Sequence, residues 1–290
     1  MAINVLCIGD VVGRPGRKTL ANCLPELIRQ RNIDFVACNA ENAAGGSGLT
    51  PVIFQKLLTC GVDAVTLGDH VYRKREIIQT LETSSRIVRP ANISTAAAGK
   101  KWVVVPTKSE SFQVGLACVL GQMYMGQNDS PWAAMDKAMA EMPGEVKIRI
   151  VDFHAEASSE KIAMGYFLNG RASIVFGTHT HIPTADARIL DGGTAVISDV
   201  GMTGPYDSVL GRRKDRVLSV LTTQMPAFFD VAEGDVRLCG VLAGIDAQTG
   251  KAVSIERVEL TGKSARPAQA ANGNATPAAD GEQNSKTPSP

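Results

Sequence analysis

Ile148-Arg149-Ile150-Val151-Asp152-Phe153-His154 is an apolar, β-branched run that stops on a histidine. Ala64-Val65-Thr66-Leu67-Gly68-Asp69-His70 has the same form, and Ile174-Val175-Phe176-Gly177-Thr178-His179-Thr180-His181 has it with two imidazoles. The chain holds only four histidines, and every one follows directly on such a run. Two further runs end in carboxylates and an amide: Leu6-Cys7-Ile8-Gly9-Asp10 and Val36-Ala37-Cys38-Asn39-Ala40-Glu41-Asn42. Short continuous Val/Ile/Ala runs read as strands buried on both faces. In open α/β sheets, ligands bind beyond the carboxyl ends of the strands. Five strand ends that each deliver a His, Asp or Glu therefore describe one site.

Working outward, residues 3–8, 34–38, 64–67, 146–152, 172–176, 194–198, 217–224 and 236–245 read as strands, and 102–106 with 112–120 as an antiparallel pair. Helices are expected around 17–31, over 51–60 with Thr50 as N-cap, and around 73–81, 131–142 and 159–168. Strands alternating with helices, and a strand-heavy C-terminal half, predict a layered α/β sandwich. From about Gly262 the composition changes. Residues 263–290 are rich in Ala, Pro, Asn, Gly and Ser and hold no large apolar side chain. Such a segment cannot offset its ordering entropy, so a domain over 1–262 followed by a disordered tail is expected.

The chain has 290 residues, 44% of them hydrophobic, enough for one α/β domain with a sizeable core. Its 30 Lys+Arg nearly balance 29 Asp+Glu, which argues against strong electrostatic capture of nucleic acid or an anionic membrane. A nucleotide still fits as substrate. No apolar run reaches membrane-span length, and the chain enters its first strand without a basic leader, so a cytoplasmic location is expected. None of the six cysteines forms a C-x-x-C pair; Cys7, Cys38 and Cys118 lie in apolar runs and read as small core hydrophobes.

Imidazole mixed with carboxylate suits a hard or borderline divalent metal. The His179-Thr180-His181 spacing would put both rings on one side of an extended segment, one for each of two neighbouring ions. Paired ions suit phosphoryl chemistry because together they bind phosphate oxygens, generate hydroxide and stabilise an in-line displacement. A carboxylate must bridge them, and Glu41 is the candidate. Elsewhere, Gly45-Gly46-Ser47-Gly48 lacks the Lys-Ser/Thr of a phosphate-binding loop and reads as a turn into the next helix. Arg14 stands beside Asp10, either near substrate phosphate or in an exposed turn, and Arg212-Arg213-Lys214 reads as a solvated turn.

Taken together, the motifs resemble the calcineurin-like metallophosphoesterases, and within them the YmdB-type phosphodiesterases. The matching segments are Gly9-Asp10-Val11-Val12-Gly13-Arg14-Pro15-Gly16, Asn39-Ala40-Glu41-Asn42-Ala43-Ala44-Gly45-Gly46, Arg89-Pro90-Ala91-Asn92, Val151-Asp152-Phe153-His154-Ala155-Glu156-Ala157, Gly177-Thr178-His179-Thr180-His181 and Asp199-Val200-Gly201-Met202-Thr203-Gly204-Pro205-Tyr206-Asp207-Ser208. The resemblance spans about residues 1–260. It implies a four-layer α/β/β/α sandwich with a dinuclear centre of iron or manganese, zinc being a further candidate. Asp10, Glu41, Asn42 and His181 would hold the first metal. Glu41 would bridge to the second, completed by Asp69, His154 and His179. The wider superfamily places Asp-x-His at the first strand end; here Asp10-Val11-Val12 has no His, and the Asn42 side-chain oxygen would fill that place.

The resemblance also implies a reaction. A metal-bridging hydroxide would attack phosphorus in line in a 2',3'-cyclic or 3',5'-cyclic nucleotide, with His70 as general acid, since an imidazole titrates near working pH. A phosphomonoesterase is the alternative within enzymes. A low-turnover, metal-binding regulatory protein is the alternative outside them, and the oligomeric state, including a homo-oligomer, is left open. In one place the chain departs from the family pattern, which carries Gly-Asn-His where this sequence has Gly68-Asp69-His70. Two divalent ions offset by three carboxylates and a hydroxide leave no net charge, whereas Asn in that position would leave one positive charge. A less positive centre polarises phosphate less. Asp69 is therefore expected to shift metal preference or lower the rate.

Overall fold

The computed structural model describes residues 2–261, so the tail expected over 263–290 lies outside the described residues. In chain order the elements are β1 (Ala2–Ile8), β2 (Asp10–Val11), α1 (Gly13–Arg31), β3 (Ile33–Asn39), α2 (Pro51–Thr59), β4 (Ala64–Thr66), a 3-10 turn (Arg75–Ile77) leading into α3 (Ile78–Thr83), β5 (Trp102–Pro106) and β6 (Gln113–Leu120). They continue with α4 (Pro131–Glu141), β7 (Ile148–His154), α5 (Ser158–Phe167), β8 (Ile174–Thr178), β9 (Arg188–Ile189), β10 (Ala195–Ile197), β11 (Met202–Pro205), α6 (Lys214–Thr223), β12 (Val236–Asp246) and β13 (Ala252–Thr261).

The strands form two sheets. One runs β2-β11-β12-β1-β3-β4, with β13 also on β12; the other runs β5-β6-β7-β8-β10-β9. In the first sheet β1, β3 and β4 are parallel neighbours. In the second β6, β7, β8 and β10 are. The expected antiparallel pairing of β5 with β6 is present, Trp102 opposite Ala117.

Side chains alternate across each strand and so divide between three apolar layers. Leu6, Ile8, Val36 and Cys38 face Leu20, Leu24 and Leu27 of α1 and Phe54 and Leu57 of α2. Their neighbours Val5, Cys7, Phe35 and Ala37 meet Leu116, Cys118, Ile150 and Phe176 between the sheets. Val119, Val151, Phe153 and Val175 pack on Met135 and Met139 of α4 and Met164 of α5. The result is the expected four-layer α/β/β/α sandwich. Each fully buried Leu or Phe contributes about 1.5–3 kcal/mol, which is why these strands read as continuous apolar runs.

Local chemistry sets the helix ends. Thr50 caps α2 by accepting from Ile53 N–H at 3.3 Å, and Pro51 follows in the first turn. Helix α1 ends at Asn32 in the left-handed region. The strand expected over 217–224 is not formed; this stretch lies in α6 and its C-cap Gln224. Val217, Leu218, Val220 and Leu221 recur at a helical interval, Asp215 occupies the first turn, and Gln224 turns left-handed to close the helix. β-Branched composition suggests a strand, but among the described residues no strand pairs with this stretch.

Candidate metal centre

The carboxyl ends of β1, β3 and β4 in one sheet and of β7 and β8 in the other open on a common edge. Asp10 lies just past β1, and Glu41 and Asn42 just past β3. Asp69 and His70 follow β4, His154 ends β7, and His179 and His181 follow β8. A buried hub ties the sheets together beneath them. Asp152, wholly buried, accepts from Asn39 Nδ2 at 2.9 Å, from Thr178 Oγ1 at 2.6 Å and from Thr66 Oγ1. Asn39 Oδ1 in turn accepts the Glu41 backbone N–H at 3.1 Å.

Glu41, Asp69, His154 and His179 bring one ligand atom each to within 4.8 Å of one another. His154 Nε2 lies 3.2 Å from Glu41 Oε1, 3.1 Å from Asp69 Oδ1 and 3.1 Å from His179 Nδ1. Gly68 lies against them, and a Cβ built on it would meet Glu41 Oε2 at 2.2 Å and His154 Nε2 at 2.3 Å. Next to this group, Asn42 Nδ2 is 3.1 Å from Glu41 Oε1 and 3.2 Å from His181 Nε2, and His181 Nε2 is 3.8 Å from Asp10 Oδ1. Asn42 Oδ1 points the other way, 2.9 Å from His70 Nδ1. Half a turn of the amide would exchange its oxygen and nitrogen.

The segment carrying His179 and His181 is not extended, contrary to the sequence expectation. Their φ angles are 96° and 64°, left-handed for both. Such residues cost of order 1–3 kcal/mol each and persist only where the surroundings over-determine them. Here Asp199 does so: its Oδ2 accepts Thr180 N–H at 3.1 Å and Thr180 Oγ1 at 2.8 Å, and pairs with buried Lys161 Nζ at 2.6 Å. His179 N–H is also held, by Asp10 Oδ2 at 3.0 Å. The turn sends the two rings to different places, His179 toward His154 and Asp69, His181 toward Asn42 and Asp10. The roles of Asp152 and Asp199 were not read from the sequence. Both stand inside the quoted motifs, yet their partners lie in other strands and loops.

The electrostatics fit a cation. Asp10 Oδ1 is buried and has no hydrogen-bond partner among the described residues. Burial pushes Asp10 up to about 6, against the pull of His181 and His154. Burial also opposes ionisation of Glu41 and Asp69, but His154 outweighs it and holds both below the usual carboxylate range. His154 is itself raised well above its ordinary value, since Glu41, Asp69 and Asp10 outweigh its burial. Burial and then His154 push His179 down to about 4, leaving it a neutral imidazole. Three carboxylates thus face one pocket and share His154 as a partner. Burying a charge without a partner is costly, and this mixture of oxygen and imidazole donors matches a divalent ion.

Two other expectations concern arginines. Arg14 lines a cleft of about 600 Å³ with Lys18, Asn22, Glu233 and Asp235. Arg212 is not simply solvated: its guanidinium binds the carbonyls of Gly45, Gly46 and Phe229, securing the glycine turn before α2.

A family profile described as "YmdB-like protein" matches residues 6–258. Over 256 residues the chain is 43% identical to a Bacillus subtilis (strain 168) protein named 2',3'-cyclic-nucleotide 2'-phosphodiesterase, covering 88% of this chain and 96% of that one. A crystal structure of a Mycoplasma pneumoniae protein described as a novel phosphatase superposes with a TM-score of 0.84 at 29% identity, covering 90% of this chain and 94% of the other. That of a hypothetical protein from Thermus thermophilus gives 0.83 at 36% identity, over 89% and 99%.

Proposed function

The chain belongs to the YmdB-like family, with the metallophosphoesterase sandwich, and on that footing we propose that it is a dinuclear metal-dependent phosphodiesterase acting on cyclic nucleotides. The 2',3'-cyclic substrates of its Bacillus relative are the first candidates, with 3',5'-cyclic nucleotides beside them. The observation that carries this reading is the convergence of Glu41, Asp69, His154 and His179 next to the unpartnered Asp10 oxygen. Glu41, Asp69, His154 and His179 would hold one ion. Asp10, Asn42 and His181, sharing Glu41, would hold the other, with Asn42 presenting its oxygen. Iron or manganese suits these donors, with zinc as a third option. Two such ions supply the charge that binds phosphate oxygens, activates water and stabilises an in-line displacement.

The protein's own part is orientation and proton transfer. His70 sits at the rim with its side chain 27% exposed. Its backbone N–H donates to Glu41 Oε2 at 3.1 Å, and its Nδ1 lies against the Asn42 side-chain amide, which with its oxygen turned to the ion would offer Nδ1 an N–H. That leaves Nε2, 3.7 Å from Asp69 Oδ2, to hand its proton to the departing alkoxide. We place the reaction in the cytoplasm. All six cysteines, among the described residues, are free thiols, as a reducing compartment keeps them. No described helix is long and apolar enough to cross a membrane.

The test is metal analysis of anaerobically purified protein together with turnover of 2',3'- and 3',5'-cyclic nucleotides, bis-p-nitrophenyl phosphate and p-nitrophenyl phosphate. The expected result is metal-dependent diester hydrolysis exceeding monoester hydrolysis, with His70→Asn lowering kcat about 10²–10⁴-fold. A full rate in His70→Asn removes the acid role. Absence of turnover on every phosphodiester by iron- or manganese-loaded protein overturns the enzyme reading.

A further inference from the structure

Each of the three imidazoles that face the centre must present a lone pair inward. A neutral imidazole carries one N–H, so the inward nitrogen is free only if the proton sits on the outward one, which needs an acceptor there. His154 turns Nε2 inward and has Thr178 Oγ1 at 2.8 Å from Nδ1. His181 turns Nε2 inward and has the Leu210 carbonyl at 3.0 Å from Nδ1. His179 is oriented the other way round: Nδ1 faces His154 and Asp69, and the outward Nε2 lies 3.3 Å from Glu156 Oε2. His179 is thus the one member of the three whose outward partner is a carboxylate.

Glu156 is two residues beyond His154. The short segment His154-Ala155-Glu156 therefore supplies both an inward-facing imidazole and the group that orients its neighbour. The two rings meet edge to face, 4.8 Å between centroids. The His179 backbone is left-handed and cannot by itself select which nitrogen points inward. A carboxylate behind a ligating imidazole fixes its tautomer and raises its basicity more than a hydroxyl or a carbonyl does.

From this geometry we infer that Glu156 is a positioning residue for metal binding, holding the His179 proton on Nε2 so that Nδ1 is presented to a divalent cation. The inference rests on the dinuclear reading above, and its test separates the two. Mn²⁺ binding is measured by electron paramagnetic resonance titration of the full chain and of Glu156→Ala and Glu156→Gln. The Glu156 side chain is 49% exposed, so both variants are expected to fold with the parent's melting temperature to within a few degrees. Glu156→Ala should weaken the second Mn²⁺ by about 10–100-fold. Glu156→Gln, which keeps an acceptor oxygen but not the charge, should fall between it and the parent. Affinity within twofold of the parent in Glu156→Ala overturns the inference.

A second measurement needs neither metal nor activity. Long-range ¹H–¹⁵N spectra of the metal-free proteins report the imidazole tautomers directly. The parent should show His179 protonated on Nε2, and Glu156→Ala should populate both tautomers. An unchanged His179 tautomer in Glu156→Ala overturns the inference even if the parent takes up no Mn²⁺, an outcome that would sink only the metal reading.

Discussion

Asp69 carries the most consequence of any single residue. Its Oδ1 faces His154 Nε2 and its Oδ2 approaches His70 Nε2, so one carboxylate touches both the proposed metal shell and the proposed acid. His154 holds it ionised, against the effect of its partial burial. It therefore adds a full negative charge beside Glu41 and Asp10, where an amide would add none. More negative charge binds divalent ions more tightly but leaves less field to polarise a phosphate. Asp69→Asn is thus expected to bind metal more weakly and, at matched occupancy, to turn over about tenfold faster, equivalent to ~1.4 kcal/mol. Metal content and kcat measured side by side decide it; identical values in both proteins would remove Asp69 from the account.

Elements differ in how far the sequence determines them. Thr50-Pro51 announces α2 because a cap is local chemistry, and the capping bond is present. The strand ends that carry Asp10, Glu41, His154 and His179 were legible because burial on both faces demands continuous apolar runs. The turn at His179 and His181 was not legible. It is imposed by Asp199, 19 residues from Thr180, and by Asp10, 169 residues from His179. Strand β13 escaped for a related reason: Glu256, Arg257 and Glu259 stand on a strand supported mainly by β12, and only that partner settles its conformation. Residues 217–224 misled because burial cannot be read from side-chain type. Helix α6 has no buried residue, and Leu221 is 72% exposed. Leu221→Ala should therefore change unfolding free energy by under about 0.5 kcal/mol, whereas Leu24→Ala, wholly buried in α1, should cost about 2–5 kcal/mol. Guanidinium denaturation of the two variants checks this. A loss above about 1 kcal/mol for Leu221→Ala would mean that the α6 face is covered in solution.

At the scale of the molecule, the sandwich buries five of its six thiols, Cys60 being half-buried. Cys7 and Cys118 lie between the sheets and Cys38 beneath α1 and α2. Burial is the leading cause that raises all three well above the ordinary thiol value, reinforced for each by the charge of Asp152. A protonated thiol is neither nucleophile nor soft-metal ligand at neutral pH, so none of these three offers a cation a donor. The same burial sets a stability profile. In an unfolded chain a thiol ionises near its ordinary value of about 8.5, while in the folded chain these three keep their protons to higher pH. The folded state then binds more protons above that pH, and its stability falls as pH rises. Each thiol adds up to about 1.4 kcal/mol per pH unit to that slope. Urea unfolding of reduced, metal-free protein should therefore show little contribution from the thiols below about pH 8.5 and a steep decline above about pH 9. Cys118→Ala should make the decline shallower by about one thiol's share. Parallel slopes for parent and Cys118→Ala between about pH 9 and 10.5 would show that this thiol ionises alike in both states, and that the layer between the sheets does not exclude water from it.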